Sequence, residues 1–502
     1  MKKLASCISF LGTASDVGKS VVATAFCRIF SDMGVSVAPF KAQNMSNNSF
    51  VVNAHNGEWG EMGRAQVAQA EAARVTPHVD MNPVLLKPVT NVGAQVVVLG
   101  KALGESSAAE YGNRTTQLKQ TAIDSLNRLR SEHDLIIMEG AGSCAEINLR
   151  ERDFVNFEMV KVSNASVVLV ADIDRGGVFA QVIGTLDLLS PEERRHVVGI
   201  IINRFRGDVA LFQDGIRFIE ERSNIPVLGV IPYLTDIGID GEDAVMLDTA
   251  NLKSFGSAPA AVHVAAVHLP HISNFTDVAP LEKSPGVLVT WIKSAVSLDG
   301  YDAVILPGTK NVRGDLAWLR NVGLDRTLAR YIEQGGLVVG ICGGYQMLGK
   351  KVYDPLGIEG DAGTTYGLGY LDTVTTLSSE KMLRQRKGIW LSSGVAVSGY
   401  EIHHGETRLG PSLSPLIQFS QSAELDGAMN ASGRIWGTYL HGIFDSPDFL
   451  RDFLKLLAPD ARNARLHETP TDAAVLRELA YDRLAATVLE SVCMTPLLER
   501  IK

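Results

Sequence analysis

Six short apolar runs recur through the first half of the chain: Cys7–Leu11, Val35–Phe40, Asp134–Met138, Val167–Ala171, Val197–Ile202 and Val227–Ile231. They are nearly continuous rather than alternating, the pattern of strands buried on both faces of a parallel sheet. Amphipathic stretches lie between them. The first places Val21, Val22, Ala25, Phe26, Ile29 and Phe30 on one helical face and stops at Gly34. Strand and helix in repeated alternation predict an α/β fold with helices on both faces of a parallel sheet. A second series begins with Val262–Val267, Ala303–Leu306 and Leu337–Ile341, with a helix expected over 315–334 and later strands at Val395–Ile402 and Arg434–Leu440. The expected organisation is a P-loop-type domain over 1–240, a linker over 241–261 and a second α/β domain over 262–450. A helical tail follows over 451–502, with Leu476, Leu479, Leu484, Val488, Leu489 and Leu497 spaced for one packed face.

Charge and cysteine usage narrow the partners. The 56 acidic and 47 basic residues leave a net charge of −9, which disfavours nucleic-acid binding through bulk charge. Five scattered cysteines form neither a disulfide framework nor a CxxC zinc pattern, and fit a reducing cytosol. No run approaches the roughly 18 apolar residues that would span a membrane. Lys2 and Lys3 before Leu-Ala-Ser-Cys mimic a lipoprotein leader, but only Leu4 and Ala5 are available as its apolar core. A cytoplasmic protein without nucleic-acid or membrane partners is expected.

Gly12-Thr-Ala-Ser-Asp-Val-Gly18-Lys19-Ser20 sits where the first strand gives way to the first helix. It departs from GxxxxGK[ST] in having Thr13 at the first glycine place. The chemistry survives: N–H groups at a helix start cradle phosphates, Lys19 adds charge, and the Ser20 hydroxyl can hold Mg²⁺. Two carboxylates, Glu139 and Asp172, end apolar runs at the sheet edge where ligands bind, and the pattern does not choose between them.

In the second domain, Leu337-Val-Val-Gly-Ile-Cys342-Gly-Gly-Tyr-Gln puts a cysteine between a buried strand and a helix start. Such a turn exposes the thiol and favours thiolate. The Gly343 N–H can serve an oxyanion hole, and the loop at Leu306-Pro-Gly308-Thr can bring a second donor. A cysteine nucleophile needs a base, and His441 ends a later strand. Cys7, Cys27, Cys144 and Cys493 read as buried, inert cysteines.

These elements resemble the class I glutamine amidotransferases, which implies Cys342 as nucleophile and His441 as base. The glutamate that usually follows the histidine by two residues is replaced here by Ile443, as in corrinoid amidases that work with a Cys–His dyad; the group orienting His441 stays open. The N-terminal loop resembles that of dethiobiotin synthetases. Blocks at 40–46, 63–66, 81–88, 139–143, 171–180, 203–208 and 399–405 resemble the cobyric acid synthase family, over about residues 6 to 445.

That resemblance implies a ligase using glutamine and ATP with Mg²⁺ to amidate the b, d, e and g carboxylates of adenosylcobyrinic acid a,c-diamide. It implies ATP contacts from Thr13, Gly18, Lys19, Ser20, Lys41 and Asn203, and metal ligation by Ser20 and Glu139. Arg64, Gln66, Asn82 and Lys87 would lie on the corrinoid side, with Glu61 an alternative metal ligand. Asp174 and Arg175 could contact substrate or only pair with each other, and His403 and His404 could contact substrate or serve structure. Two other readings compete: an a,c-diamide synthase acting on another corrinoid acid, and a P-loop switch ATPase with an inactive glutaminase-like domain.

Overall fold

The computed structural model describes residues 4–88, 93–235, 237–239, 262–420, 422–458 and 470–501. The chain divides into two units. The first is Met1–Met45, Val52–Asp240 and Leu476–Lys502; the second is Ser46–Val51 and Gly241–Val475. The expected linker, 241–261, lies outside the described residues.

All six runs of the first half become strands of one parallel sheet. Their order is Val227–Pro232, Val197–Phe205, Ser166–Asp172, Ser6–Gly12, Leu135–Glu139 and Val37–Phe40. Ile8, Phe10, Ile137, Val168, Val170 and Ile201 are fully buried, as their continuous apolar character requires. The helix Lys19–Asp32 packs on the sheet through Val22, Phe26 and Phe30, with Phe10 and Phe26 rings 4.6 Å apart. Register aligns Phe10 with Glu139, Gly12 with Val170 and Asp172 with Asn203. Gly12, Glu139, Asp172 and Asn203 therefore share the carboxyl edge. A smaller four-stranded sheet, Gln43–Met45, Val84–Pro88, Gly93–Val98 and Lys101–Ser107, was not expected.

The C-terminal segment corrects the expected tail. The helix Ala473–Ser491 and residues beyond it insert Tyr481, Leu484, Val488 and Leu497 into the first unit's core. Leu479 and Leu489 are instead exposed. Arg28, only 1% exposed, is held by Glu478 at 2.6 Å and Asp482 at 2.7 Å.

In the second unit, Val287–Ile292, Val262–Val267, Ala303–Leu306, Leu337–Ile341 and Ile435–Thr438 form a parallel sheet, with Ala428–Met429 antiparallel at its edge. The helix expected over 315–334 is two, Val312–Asn321 and Leu324–Glu333, broken at Gly323, whose φ of 77° leaves the helical region. The strand expected at Val395–Ile402 is half of a long hairpin, Thr373–Trp390 with Ala396–Leu409. Residues 46–51 join this unit: Asn274 Nδ2 donates to Ser49 O at 2.8 Å, Gln385 Nε2 to Val51 O at 2.9 Å, and Val51 is fully buried beside Tyr400 and Ile402.

Candidate active site

In the first unit, the strand ends at Gly12 and the helix begins at Lys19, with Gly18 at φ 91° as the turn between them. With Gly18 at the N-cap no side chain covers the helix start, a setting in which N–H groups can face a phosphate. Lys19 Nζ donates to Ala14 O at 3.0 Å and Gly142 O at 2.8 Å, tying the loop to the segment after Glu139. Glu139 is the convergence point. Its Oε1 accepts from Ser20 Oγ and from Lys41 Nζ, each at 2.8 Å, and its Oε2 accepts from Gln69 Nε2 at 2.5 Å.

Asp172 stands elsewhere: Oδ2 accepts from Arg204 at 2.9 Å and Oδ1 from the Asp174 N–H at 2.7 Å. Thus the structure brings Glu139, not Asp172, to Ser20. Asn203 Nδ2 donates to Val17 O at 2.9 Å and abuts Gly18, where an added Cβ would lie 2.2 Å from that nitrogen. Thr13 Oγ1 donates to Gln181 Oε1 at 3.3 Å.

The expected corrinoid-side residues are buried and have protein partners. Arg64 pairs with Glu71 at 3.1 Å, and Lys87 pairs with Glu61. Asn82 Nδ2 donates to the carbonyls of Lys41 and Val84 at 3.1 and 2.9 Å, and Gln66 Oε1 accepts from Asn44 at 2.9 Å. Asp174 pairs with Arg206 and Arg175 with Asp16, not with each other. His55, His78 and Asp80 also cluster, but Arg128 holds both Asp80 oxygens, at 2.6 and 3.0 Å.

In the second unit, Cys342 sits between the strand Leu337–Ile341 and the helix Gly343–Leu348 at φ 51°, ψ −106°, a strained conformation for a residue with a Cβ. The turn is tight because Gly344 lies against the end of the neighbouring strand Ala303–Leu306: a Cβ there would fall 1.9 Å from Leu306 O. His441 is 1% exposed, and its Nδ1 is 2.7 Å from Asp277 Oδ2. Asp277 Oδ1 accepts from the Gly442 N–H at 2.8 Å. Burial opposes a charged His441 ring, but the Asp277 carboxylate and the Cys342 sulfur outweigh it and raise its pKa to about 10. Gly308 completes the cluster, since a Cβ on it would lie 3.1 Å from His441 Cε1.

Tyr400 stacks on His441 with ring centroids 5.3 Å apart and exchanges two backbone hydrogen bonds with it. The Tyr400 hydroxyl in turn accepts from Asn274 Nδ2 at 2.9 Å. His403 stacks on Tyr439 at 3.8 Å, and His404 Nδ1 is 3.1 Å from Ser378 O.

Two family models match, the CobQ/CobB/MinD/ParA nucleotide binding domain over residues 8–243 and the CobB/CobQ-like glutamine amidotransferase domain over 263–449. A cobyric acid synthase of Chlorobaculum tepidum is 53% identical over 90% of this chain and 90% of its own. The chain belongs to the cobyric acid synthase family. Another member, from Chlorobium phaeobacteroides, is 52% identical over 98% of this chain and 99% of its own, and one from Syntrophobacter fumaroxidans is 45% identical over 97% and 96%.

In this cobyric acid synthase family chain, reasoning from sequence missed Asp277 and Gln69. No spacing rule links Asp277 to a histidine 164 residues later. Gln69 is three residues beyond Gln66 on the helix Arg64–Ala72, so a shared helical face was its one available signal. Cys493 is exposed, contrary to expectation: its backbone N–H donates to Leu228 O at 2.7 Å and the side chain turns outward. Burial raises the thiol pKa of Cys7 to about 11 and of Cys144 to about 12, consistent with inert roles. Among the described residues no helix is long and apolar enough to cross a membrane.

Proposed function

We propose that this protein is a cytoplasmic, glutamine-hydrolysing, ATP-dependent ligase. It amidates the b, d, e and g carboxylates of adenosylcobyrinic acid a,c-diamide to give adenosylcobyric acid in cobalamin biosynthesis. The observation that carries the reading is the Cys342 turn beside a buried His441–Asp277 pair, in a chain that also holds a phosphate loop. The relatives it matches are cobyric acid synthases.

The Cys342 sulfur attacks the carboxamide carbon of glutamine. The developing oxyanion takes the N–H groups of Gly343 and Gly308. His441 gives its proton to the departing ammonia, leaving a thioester; it then takes a proton from water, which releases glutamate. Asp277 holds the ring through Nδ1, so Nε2 is the atom left to face the sulfur.

A carboxylate does not lose its oxygen to ammonia unaided. Transfer of the ATP γ-phosphoryl group to that oxygen makes an acyl phosphate, from which ammonia displaces phosphate. The loop amides from Thr13 to Gly18 and the charge of Lys19 hold the phosphates, Lys41 adds charge at the transferred group, and Asn203 lies toward the adenine. Arg64, Gln66, Asn82 and Lys87 form the corrinoid side. Ser20 and Glu139 offer hard oxygen donors 2.8 Å apart, suited to Mg²⁺, and Gln69 Oε1 is buried nearby without a donor. When bound, Mg²⁺ neutralises charge on the β- and γ-phosphate oxygens.

The test is mass spectrometry of the corrinoid after incubation with ATP, Mg²⁺, glutamine and the a,c-diamide. Each step replaces a hydroxyl by an amino group, and four such steps are expected. An unchanged corrinoid mass with glutamine consumed would overturn the substrate assignment.

A further inference from the structure

Gln69 lies in the helix Arg64–Ala72 and is fully buried. Its amide orientation is fixed by its neighbour: a carboxylate only accepts, so the nitrogen must face Glu139 Oε2, 2.5 Å away. The amide oxygen is then turned from Glu139, and it has no hydrogen-bond partner. The Lys41 ammonium sits on the other oxygen of Glu139, at 2.8 Å, and does not reach this acceptor's hydrogen-bonding need. The acceptor suits a group that brings positive charge or O–H hydrogens, as a hydrated divalent cation does.

We propose that Gln69 is the positioning residue of the metal site. Its Nε2 pins Glu139 Oε2, so that Oε1 stays turned toward Ser20, and its own Oε1 accepts from a water on the cation. The proposal rests on the reading that Ser20 and Glu139 hold the metal. Partners that orient a ligating carboxylate typically change metal affinity by about 10- to 100-fold.

Mn²⁺ alone, titrated into the full-length protein and followed by the EPR signal of the free ion, tests this without turnover. Gln69→Leu is expected to weaken Mn²⁺ binding at least about tenfold, with the thermal midpoint and metal-free ATP binding close to wild type. Should Gln69→Leu fail to fold by circular dichroism, Gln69→Asn, which withdraws the amide by one methylene, carries the same expectation. A folded variant that binds Mn²⁺ as wild type does overturns the proposal. Glu139→Gln separates the two readings. If it loses Mn²⁺ while the Gln69 variant keeps it, the role of Gln69 alone is refuted. If both keep it, the metal assignment has failed and the role of Gln69 falls with it.

Discussion

Asp277 Oδ2 lies 2.7 Å from His441 Nδ1, and the other oxygen of the same carboxylate accepts the Gly442 N–H at 2.8 Å. One side chain thereby fixes both the imidazole and the backbone that carries it. It stands where an orienting carboxylate is needed although Ile443 occupies the usual glutamate place, and it comes from the short 3-10 helix Phe275–Val278. Asp277→Asn keeps the shape but removes the charge that favours the required tautomer. Glutamate release from glutamine should fall by about 10²–10⁴-fold, while amidation driven by added ammonium stays near wild type. An equal loss in both assays would refute the role.

The raised pKa of His441 has a consequence for stability. Burial disfavours the charged ring, but Asp277 and Cys342 together lift the folded-state value to about 10. A group raised on folding contributes stability in full below its unfolded value of about 6.5, and that contribution is lost as pH climbs to the folded value. Urea unfolding of wild type and His441→Gln should therefore differ most at about pH 6 and converge toward about pH 10. A difference independent of pH would contradict the assignment.

The two chemistries should separate by mutation. Lys19→Ala should lower amidation by about 10²–10³-fold or more whether glutamine or ammonium supplies nitrogen, and leave a glutaminase that still releases glutamate. Cys342→Ala should abolish glutamate release and retain ammonium-dependent amidation. Corrinoid mass spectrometry alongside a glutamate assay reads both.

Gly344 is the steric hinge of the cysteine turn. A methyl group there would meet Leu306 O at 1.9 Å, and main chain cannot yield as a side-chain tip can. Gly344→Ala should destabilise the fold by about 3 kcal/mol or more, seen as a lower urea midpoint. Ala at Gly308 meets its nearest atoms at 3.0–3.2 Å and should fold while losing glutaminase activity.

The first sheet was legible because its strands, apart from the partly buried edge strand Val227–Pro232, are buried on both faces and so read as apolar runs. The long hairpin Thr373–Trp390 with Ala396–Leu409 was mostly hidden, because charged and polar residues such as Glu380, Lys381, Arg384 and Arg386 interrupt its first strand. Val287–Ile292 is apolar too, yet most of it is only half buried at the sheet edge. At the sites, Cys342, His441, Lys19 and Ser20 carry local signatures, in which the residue and its strand–turn–helix setting are adjacent in sequence. Asp277 and Gln69 carry none. Each acts through a partner brought close only by the fold, and an aspartate or glutamine read alone is most often a solvated surface group.

The first unit draws part of its core from residues that follow the second unit in the sequence. Tyr481, Leu484, Val488 and Leu497 seal the core begun by Phe10, Phe26 and Phe30, and two of the three carboxylates that pair with Arg28, Glu478 and Asp482, stand on the same late helix. A ribosome making this chain finishes the phosphate loop early, then spends on the order of tens of seconds on the residues between 240 and 476 at bacterial or eukaryotic rates. Throughout that interval the nascent sheet lacks the apolar side chains of the late helix, and Arg28 has Asp32 but neither Glu478 nor Asp482. The second unit is thus synthesised while the first still lacks part of its core.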